Sequence, residues 1–393
     1  MTTGSRQAAR MSRLGTESAF EVLARARALE AEGRKVIHLE IGEPDFDTPR
    51  HIVEAAAEAL REGFTHYVAA AGLPELREAV GEFFGRTGRG RYPADRVVVT
   101  PGAKPIMFYA ILALCEEGDE VLYPNPGFPM YESITSFVGA TPVPVPLKEE
   151  NQFRMDPDEV ASLITDRTKL LIINSPHNPC GSALSKEDVE SLARLAIEHD
   201  LYVLTDEVYW AIRYEDDHAS ILAVDGMQDR TILLDACSKT FAMTGWRLGF
   251  CGLPPGLVEP FTRLVINSVS CSAAFTQRAA LAAVTGPWEP VEAMVNEFHK
   301  RRDVMVEGLN RIPGITCQEP AGAFYVFPNI SELGVSSKTV ADALLEKGGV
   351  AGLWGTAFGA RGEGYIRLSY ANSVEAIRDA LDAIENTVTD LKG

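Results

Sequence analysis

The chain has 393 residues, 46% hydrophobic and 23% charged, the composition of a soluble globular protein long enough for two domains. Its 37 basic and 55 acidic residues give a net charge of -18, which argues against a nucleic-acid or anionic-membrane partner, both of which require a basic face, and leaves room for a local basic pocket. The six cysteines form no CxxC pair and no Cys/His cluster of zinc spacing, so no metal site is expected and reduced thiols in a cytoplasmic protein are.

In chain order, Arg6, Arg10 and Arg13 precede no apolar run of the signal-peptide kind, and no later stretch reaches the ~18 apolar residues that cross a bilayer. Residues 17–33 predict an amphipathic helix, and VIHLEI (36–41) a strand. RVVVT (96–100) predicts a strand that turns at PGAKP into a helix, with Pro105 suited to its first position. EVLY (120–123) and KLLIIN (169–174) are further strands. A helix follows Ser185, where SKED offers an N-cap and an acid three residues later. LYVLTD (201–206), TILLD (231–235) and RLGFCG (247–252) complete the strands. Several are apolar on both faces, as a parallel sheet covered by helices requires. The alternation spans roughly 45–285 and changes near GPWEP (286–290). Beyond lie a long helix (about 291–311), GAFYVFP, a helix near 338–347, YIRLSY and a closing helix from about 374. A large α/β domain at 45–288 is therefore expected, with a smaller α+β domain from 1–44 and 289–393.

Ligands of open α/β sheets lie beyond the carboxyl ends of the strands, so polar residues there matter most. PGAKP opens a helix whose free N–H groups suit an anion, although ordinary turns look the same. SPHNPCGS puts Asn178 on a tight loop, or is a plain turn. TDEVY ends an apolar strand on Asp206, which needs a cationic partner unless it caps a helix. SKTFAMTGWRLG (238–249) carries Lys239 and Arg247. A lysine with a depressed pKa forms Schiff bases, and an arginine binds phosphate bidentately or makes a structural ion pair. Together these groups match the needs of pyridoxal phosphate: an amine, an acid for the ring nitrogen, and cations and N–H groups for the phosphate.

SPHNPCG, TDEVY and SKTFAMTGWRLG resemble the signatures of the class I aminotransferases of PLP fold type I. The likeness extends through IGEPDFDTP (41–49), HYVAAAGLPELREA (66–79), TPGAKPIM (100–107), YPNPGFPMY (123–131), AGAFYVF (321–327) and RLSYANS (367–373), and is nearest to the bacterial aspartate aminotransferase-like branch. The resemblance implies a mostly parallel seven-stranded sheet, a smaller domain, and a homodimer with shared sites. It implies ping-pong transfer of an amino group between an L-amino acid and a 2-oxo acid. Lys239 would form the internal aldimine and shuttle the proton, and Asp206 would pair with the ring nitrogen. Asn178 and Tyr209 would reach the phenolic oxygen and Phe128 would stack on the ring. Ala103, Lys104, Ser238 and Arg247 would hold the phosphate, with Tyr67 reaching the phosphate of the neighbouring subunit. Arg367 would clamp the substrate carboxylate, assisted by Gly42 and Asn178, and the Lys104 side chain would read the distal carboxylate of aspartate or glutamate. Ala236, Val68-Ala69, Trp210 and Trp354 depart from the usual pattern; Trp354 and Val68 either lie near the substrate side chain or, like the others, reflect neutral drift. An elimination or oxidation on the same scaffold is the alternative reaction.

Overall fold

The computed structural model describes residues 7–214 and 218–392, so Arg6 lies outside it. The strands are β1 (Ile37–His38), β2 (Val97–Thr100), β3 (Glu120–Asn125), β4 (Thr141–Pro146), β5 (Thr168–Asn174), β6 (Tyr202–Asp206), β7 (Thr231–Ala236), β8 (Gly249–Gly252), β9 (Tyr325–Val326), β10 (Val350–Ala351), β11 (Leu353–Trp354) and β12 (Ile366–Ser369). Seven of them form one sheet in the order β2-β8-β7-β6-β5-β3-β4. Only β8 runs antiparallel to its neighbours, β2 and β7.

Consecutive residues of a strand point to opposite faces, and here both faces are core. Val97 and Val99 enter one hydrophobic cluster and Val98 the other. Leu171 and Ile173 likewise oppose Leu170 and Ile172. This is why the strands read as continuous apolar runs. Each fully buried Val, Leu or Ile contributes roughly 1.5–3 kcal/mol of transfer free energy.

The sheet differs from the sequence reading at one strand. TPVPVP forms edge strand β4, paired only with β3. Its three prolines lack the N–H that an interior strand must donate, and an edge tolerates them. VIHLEI contributes only β1, which pairs in parallel with β10 outside the large sheet.

The helix at Lys186–Glu198 has the expected capping box, with Ser185 and Asp188 serving each other's backbone N–H groups. The helix after Gly102 spans Ala103–Leu114, so Pro105 occupies its third position rather than its first. That position also has no intrahelical acceptor for an N–H, so the proline costs nothing there. Glu289–Arg311 packs against Val374–Lys392, next to a three-stranded sheet β11-β12-β9. Among the described residues no helix is long and apolar enough to cross a membrane.

Candidate active site

Four chain segments converge at the carboxyl edge of the large sheet. Asn174 and Asp206 end adjacent strands β5 and β6 in register. β7 ends at Ala236 and passes straight into the short helix Cys237–Thr240, which carries Ser238 and Lys239. β2 leads through Gly102 into Ala103–Leu114. A cavity of about 520 Å³ lies between them, lined by Gly42, Ala103, Lys104, Phe128, Asn178, Asp206, Tyr209, Ser238, Lys239, Arg247 and Arg367. Glu17, just before the helix Ser18–Ala31, and that helix's Ala19 and Phe20 complete its wall.

Lys239 is partly buried, and its Nζ donates to the Gly42 carbonyl. The ammonium lies 5.8 Å from the Tyr209 ring and 5.7 Å from the Phe324 ring. Burial pulls its pKa down to about 8, aided by Arg367 and Lys104 and opposed by Glu43 and Glu17. A neutral, nucleophilic amine is thus accessible near physiological pH.

Asp206 is buried and receives hydrogen bonds from the Tyr131 hydroxyl (2.8 Å) and the Val208 N–H (3.3 Å). Burial raises its pKa to about 6 despite those donors, with Asp235 and Glu207 adding repulsion. The helix N-cap alternative is not met, because the backbone N–H it accepts is that of Val208, which lies in a turn and not in a helix.

Arg367, on β12, is buried and donates to Asn178 Oδ1 at 3.1 Å and to the Glu40 carbonyl. Its guanidinium lies 4.5 Å from the Tyr325 ring and 5.0 Å from that of Phe358, while its buried Nε has no hydrogen-bond partner among the described residues. Tyr325 and Tyr209 join hydroxyls at 2.7 Å, and burial pushes the Tyr209 pKa well up, so that it remains a hydrogen-bond donor. A Cβ at Gly42 would collide with the Tyr325 hydroxyl, which explains glycine there.

At the other end, Gly102 has a φ of +96° and lies against Arg247, whose guanidinium a Cβ at Gly102 would strike. Gly249 approaches the Gly102 carbonyl and Ala103 N just as closely. The two glycines therefore bring a guanidinium to the N-terminus of a twelve-residue helix, a fixed positive corner. Arg247 is exposed and, among the described residues, bonded to the Thr244 carbonyl alone at 2.7 Å, so its fork is available. Phe128 borders the cavity edge-on to Tyr131, with ring centroids 5.7 Å apart. The Lys104 Nζ faces the cavity but is paired with the Glu17 carboxylate.

Not every residue singled out in the sequence gathers here. Tyr67 is 87% exposed and lines a separate surface cleft with Phe64, His66 and Phe275. Trp354 does not line the cavity: Leu353 is the residue opposite Arg367, so its neighbour Trp354 faces the other side, beneath Lys338 at 4.6 Å. Val68 packs against the hydrophobic core. Trp210 is a core residue, 3.9 Å below the guanidinium of Arg89, which pairs with Asp235 at 2.7 Å inside the fold. Ala236 does border the cavity. Sequence reasoning missed Tyr131, Tyr325 and Glu17; the first two lie inside quoted motifs, but nothing local reveals what they touch. No cluster of His, Cys, Asp and Glu among the described residues could hold a metal.

The sequence model of the family described as aminotransferase class I and II matches residues 34–384. An aspartate aminotransferase of Pyrococcus abyssi is 44% identical over 367 residues, covering 92% of this chain and 94% of that one. An aromatic-amino-acid aminotransferase 2 of Thermococcus litoralis is 42% identical over 361 residues, with 91% and 92% covered. The solved structure of aspartate aminotransferase from Thermus thermophilus with maleate superposes with a TM-score of 0.94 at 37% identity, covering 98% of this chain and all of that one (100%).

Proposed function

Because the chain belongs to the class I and II aminotransferase family, a transaminase acting between an amino acid and a 2-oxo acid, we propose that its cavity holds pyridoxal phosphate and propose a role for each residue around it. The family uses that cofactor, and the donor set fits it: a partly neutral amine, a buried carboxylate, and a positive corner of helix N-terminus and guanidinium face one cavity. When bound, the cofactor supplies an aldehyde that takes up the amino group and a ring that spreads the negative charge left at the α-carbon.

The chain's own groups then divide the work. Ala103 and Lys104 offer backbone N–H groups to the phosphate, and Ser238 and Arg247 complete its cradle. Asp206, held by Tyr131 and Val208, keeps the ring nitrogen protonated. Asn178 and Tyr209 donate to the phenolic oxygen, and Phe128 covers the ring face. Arg367 binds the α-carboxylate beside Gly42 and Asn178, using the N–H that is now unpartnered. Lys239 would hold the aldehyde of the cofactor, and its Nζ, when free and neutral, would take the substrate α-proton and give it back on the other side of the transfer. The lowered pKa carries this reading, because only a neutral amine can accept that proton.

The donor is proposed from Lys104. An ammonium on the cavity wall suits the distal carboxylate of aspartate or glutamate. We further assign residues 45–288 to a large domain and 1–44 with 289–393 to a small one, supported by the β1–β10 pairing. We also propose a cytoplasmic homodimer, supported by the free cysteines and by the exposure of Tyr67, which leaves it open to a partner's phosphate. The test is reconstitution of the apoprotein with pyridoxal phosphate, borohydride trapping, and an oxo-acid assay over a donor panel. Trapping at Lys239 with oxo-acid formation supports the reading; trapping elsewhere at full turnover refutes it.

A further inference from the structure

The Glu17–Lys104 pair raises the question of what Lys104 does while an apolar side chain fills the cavity. Glu17 is the residue before the helix Ser18–Ala31, where a side chain usually caps, yet it caps nothing. Its carboxylate accepts from Lys104 instead, with the two side chains 17% and 46% exposed. Apolar surface surrounds the pair: the Phe20 ring is 5.8 Å and the Phe128 ring 5.7 Å from Nζ. Ala19 lines the same wall. The side-chain end of the cavity thus offers a cation, a matching anion and two aromatic faces.

We infer that Glu17 is a built-in substitute for the distal carboxylate of the substrate, pairing with Lys104 when the donor is apolar and yielding that cation when the donor is acidic. The inference deepens the transaminase reading above and rests on it. An apolar donor expels water from around Lys104, and without Glu17 that charge would be left unpaired at considerable cost. An acidic donor brings its own carboxylate, which competes with Glu17 for the ammonium. Glu17 therefore widens the donor range to neutral and aromatic amino acids while weakening dicarboxylic ones. The Glu17 charge is also felt at Lys239, Arg367 and Tyr325, which places it within electrostatic reach of the reacting centre.

The experiment measures kcat/KM for aspartate, glutamate, alanine and phenylalanine in holoenzyme of wild type, Glu17→Gln, Lys104→Ala and the double variant. Succinate binding by calorimetry provides a readout apart from turnover. The acidic-to-apolar ratio should rise about tenfold or more in Glu17→Gln. Succinate should bind that variant more tightly by a similar factor. In the Lys104→Ala background the same change should shift the ratio by less than about threefold, since Glu17 then has no cation to release. An unchanged or lower ratio in Glu17→Gln, with wild type active, overturns the role of Glu17. A wild type that transaminates none of these donors counts instead against the transaminase reading. If Glu17→Gln is unstable, Glu17→Ala and Glu17→Ser decide the matter by the same ratio.

Discussion

The Tyr131 hydroxyl donates to Asp206 Oδ2 at 2.8 Å, fixing a carboxylate that burial alone would tend to protonate. Its folded-state pKa of about 6 lies above the ordinary 3.8, so the native state holds the proton more tightly than the unfolded chain does. Stability from this group is therefore present below 3.8 and lost as pH rises toward 6. At neutral pH Asp206 is charged at a cost, and a cation placed beside it recovers that cost. The protonated ring nitrogen of the proposed cofactor is such a cation.

Asp206→Asn should therefore retain cofactor while turnover falls by two orders of magnitude or more, because an amide cannot hold the ring proton. Tyr131→Phe removes one neutral donor and should cost about tenfold, in line with a single hydrogen bond to a charged group. Cofactor absorbance and steady-state kcat check both. A kcat within threefold of wild type in Asp206→Asn contradicts the assignment.

Lys239 makes a pH prediction of opposite sign. Its pKa falls from 10.5 to about 8, so its burial cost is largest below 8 and disappears as pH rises toward 10.5. Over the same range the neutral amine becomes abundant. The rate at which apoprotein captures pyridoxal phosphate should rise about tenfold between pH 7 and 9, followed by stopped-flow absorbance. Lys239→Ala should abolish borohydride-stable labelling and nearly all turnover; a rate that is flat over this range would contradict the lowered pKa.

Lys104→Ala should reduce kcat/KM for aspartate and glutamate by at least tenfold more than for alanine or phenylalanine. The variant removes the cation that would meet the distal carboxylate. Equal losses on all four donors would show that Lys104 serves only the phosphate end of the cavity through its backbone.

Tyr67 tests the assembly. Mixing an inactive Lys239→Ala chain with an inactive Tyr67 variant should restore activity in the heterodimer if each site takes Tyr67 from the partner. Separate parents and purified mixed dimers are compared by oxo-acid formation. Mixed dimers no more active than the parents would place Tyr67 outside the composite site.

What could be read from the sequence was whatever local chemistry dictates. SKED declares a helix start, since both capping partners lie within four residues, and SKTFAMTGWRLG declares an amine and a guanidinium because strand ends rarely carry them unpaired. β4 escaped, because TPVPVP breaks the rule for interior strands and only its edge position excuses it. Glu17 escaped for a different reason: 87 positions separate it from Lys104, and no pattern in either neighbourhood points to the other. Trp354, read either as a pocket wall or as neutral drift, is turned by strand alternation to the face opposite Arg367, which no feature of its own segment shows.

The lone antiparallel strand of the large sheet also sets an order of events during synthesis. β2 pairs only with β8 within that sheet, so residues 97–100 have no strand neighbour until residues 249–252 have left the ribosome. The positive corner formed by Gly102 and Arg247 closes at that moment and not before. Arg367 emerges later still, on β12. A nascent chain thus gains the positive corner and Lys239 together, well ahead of Arg367, to which we assign the substrate carboxylate. Ribosome-bound chains stalled beyond residue 252 are where capture of the cofactor would first become possible.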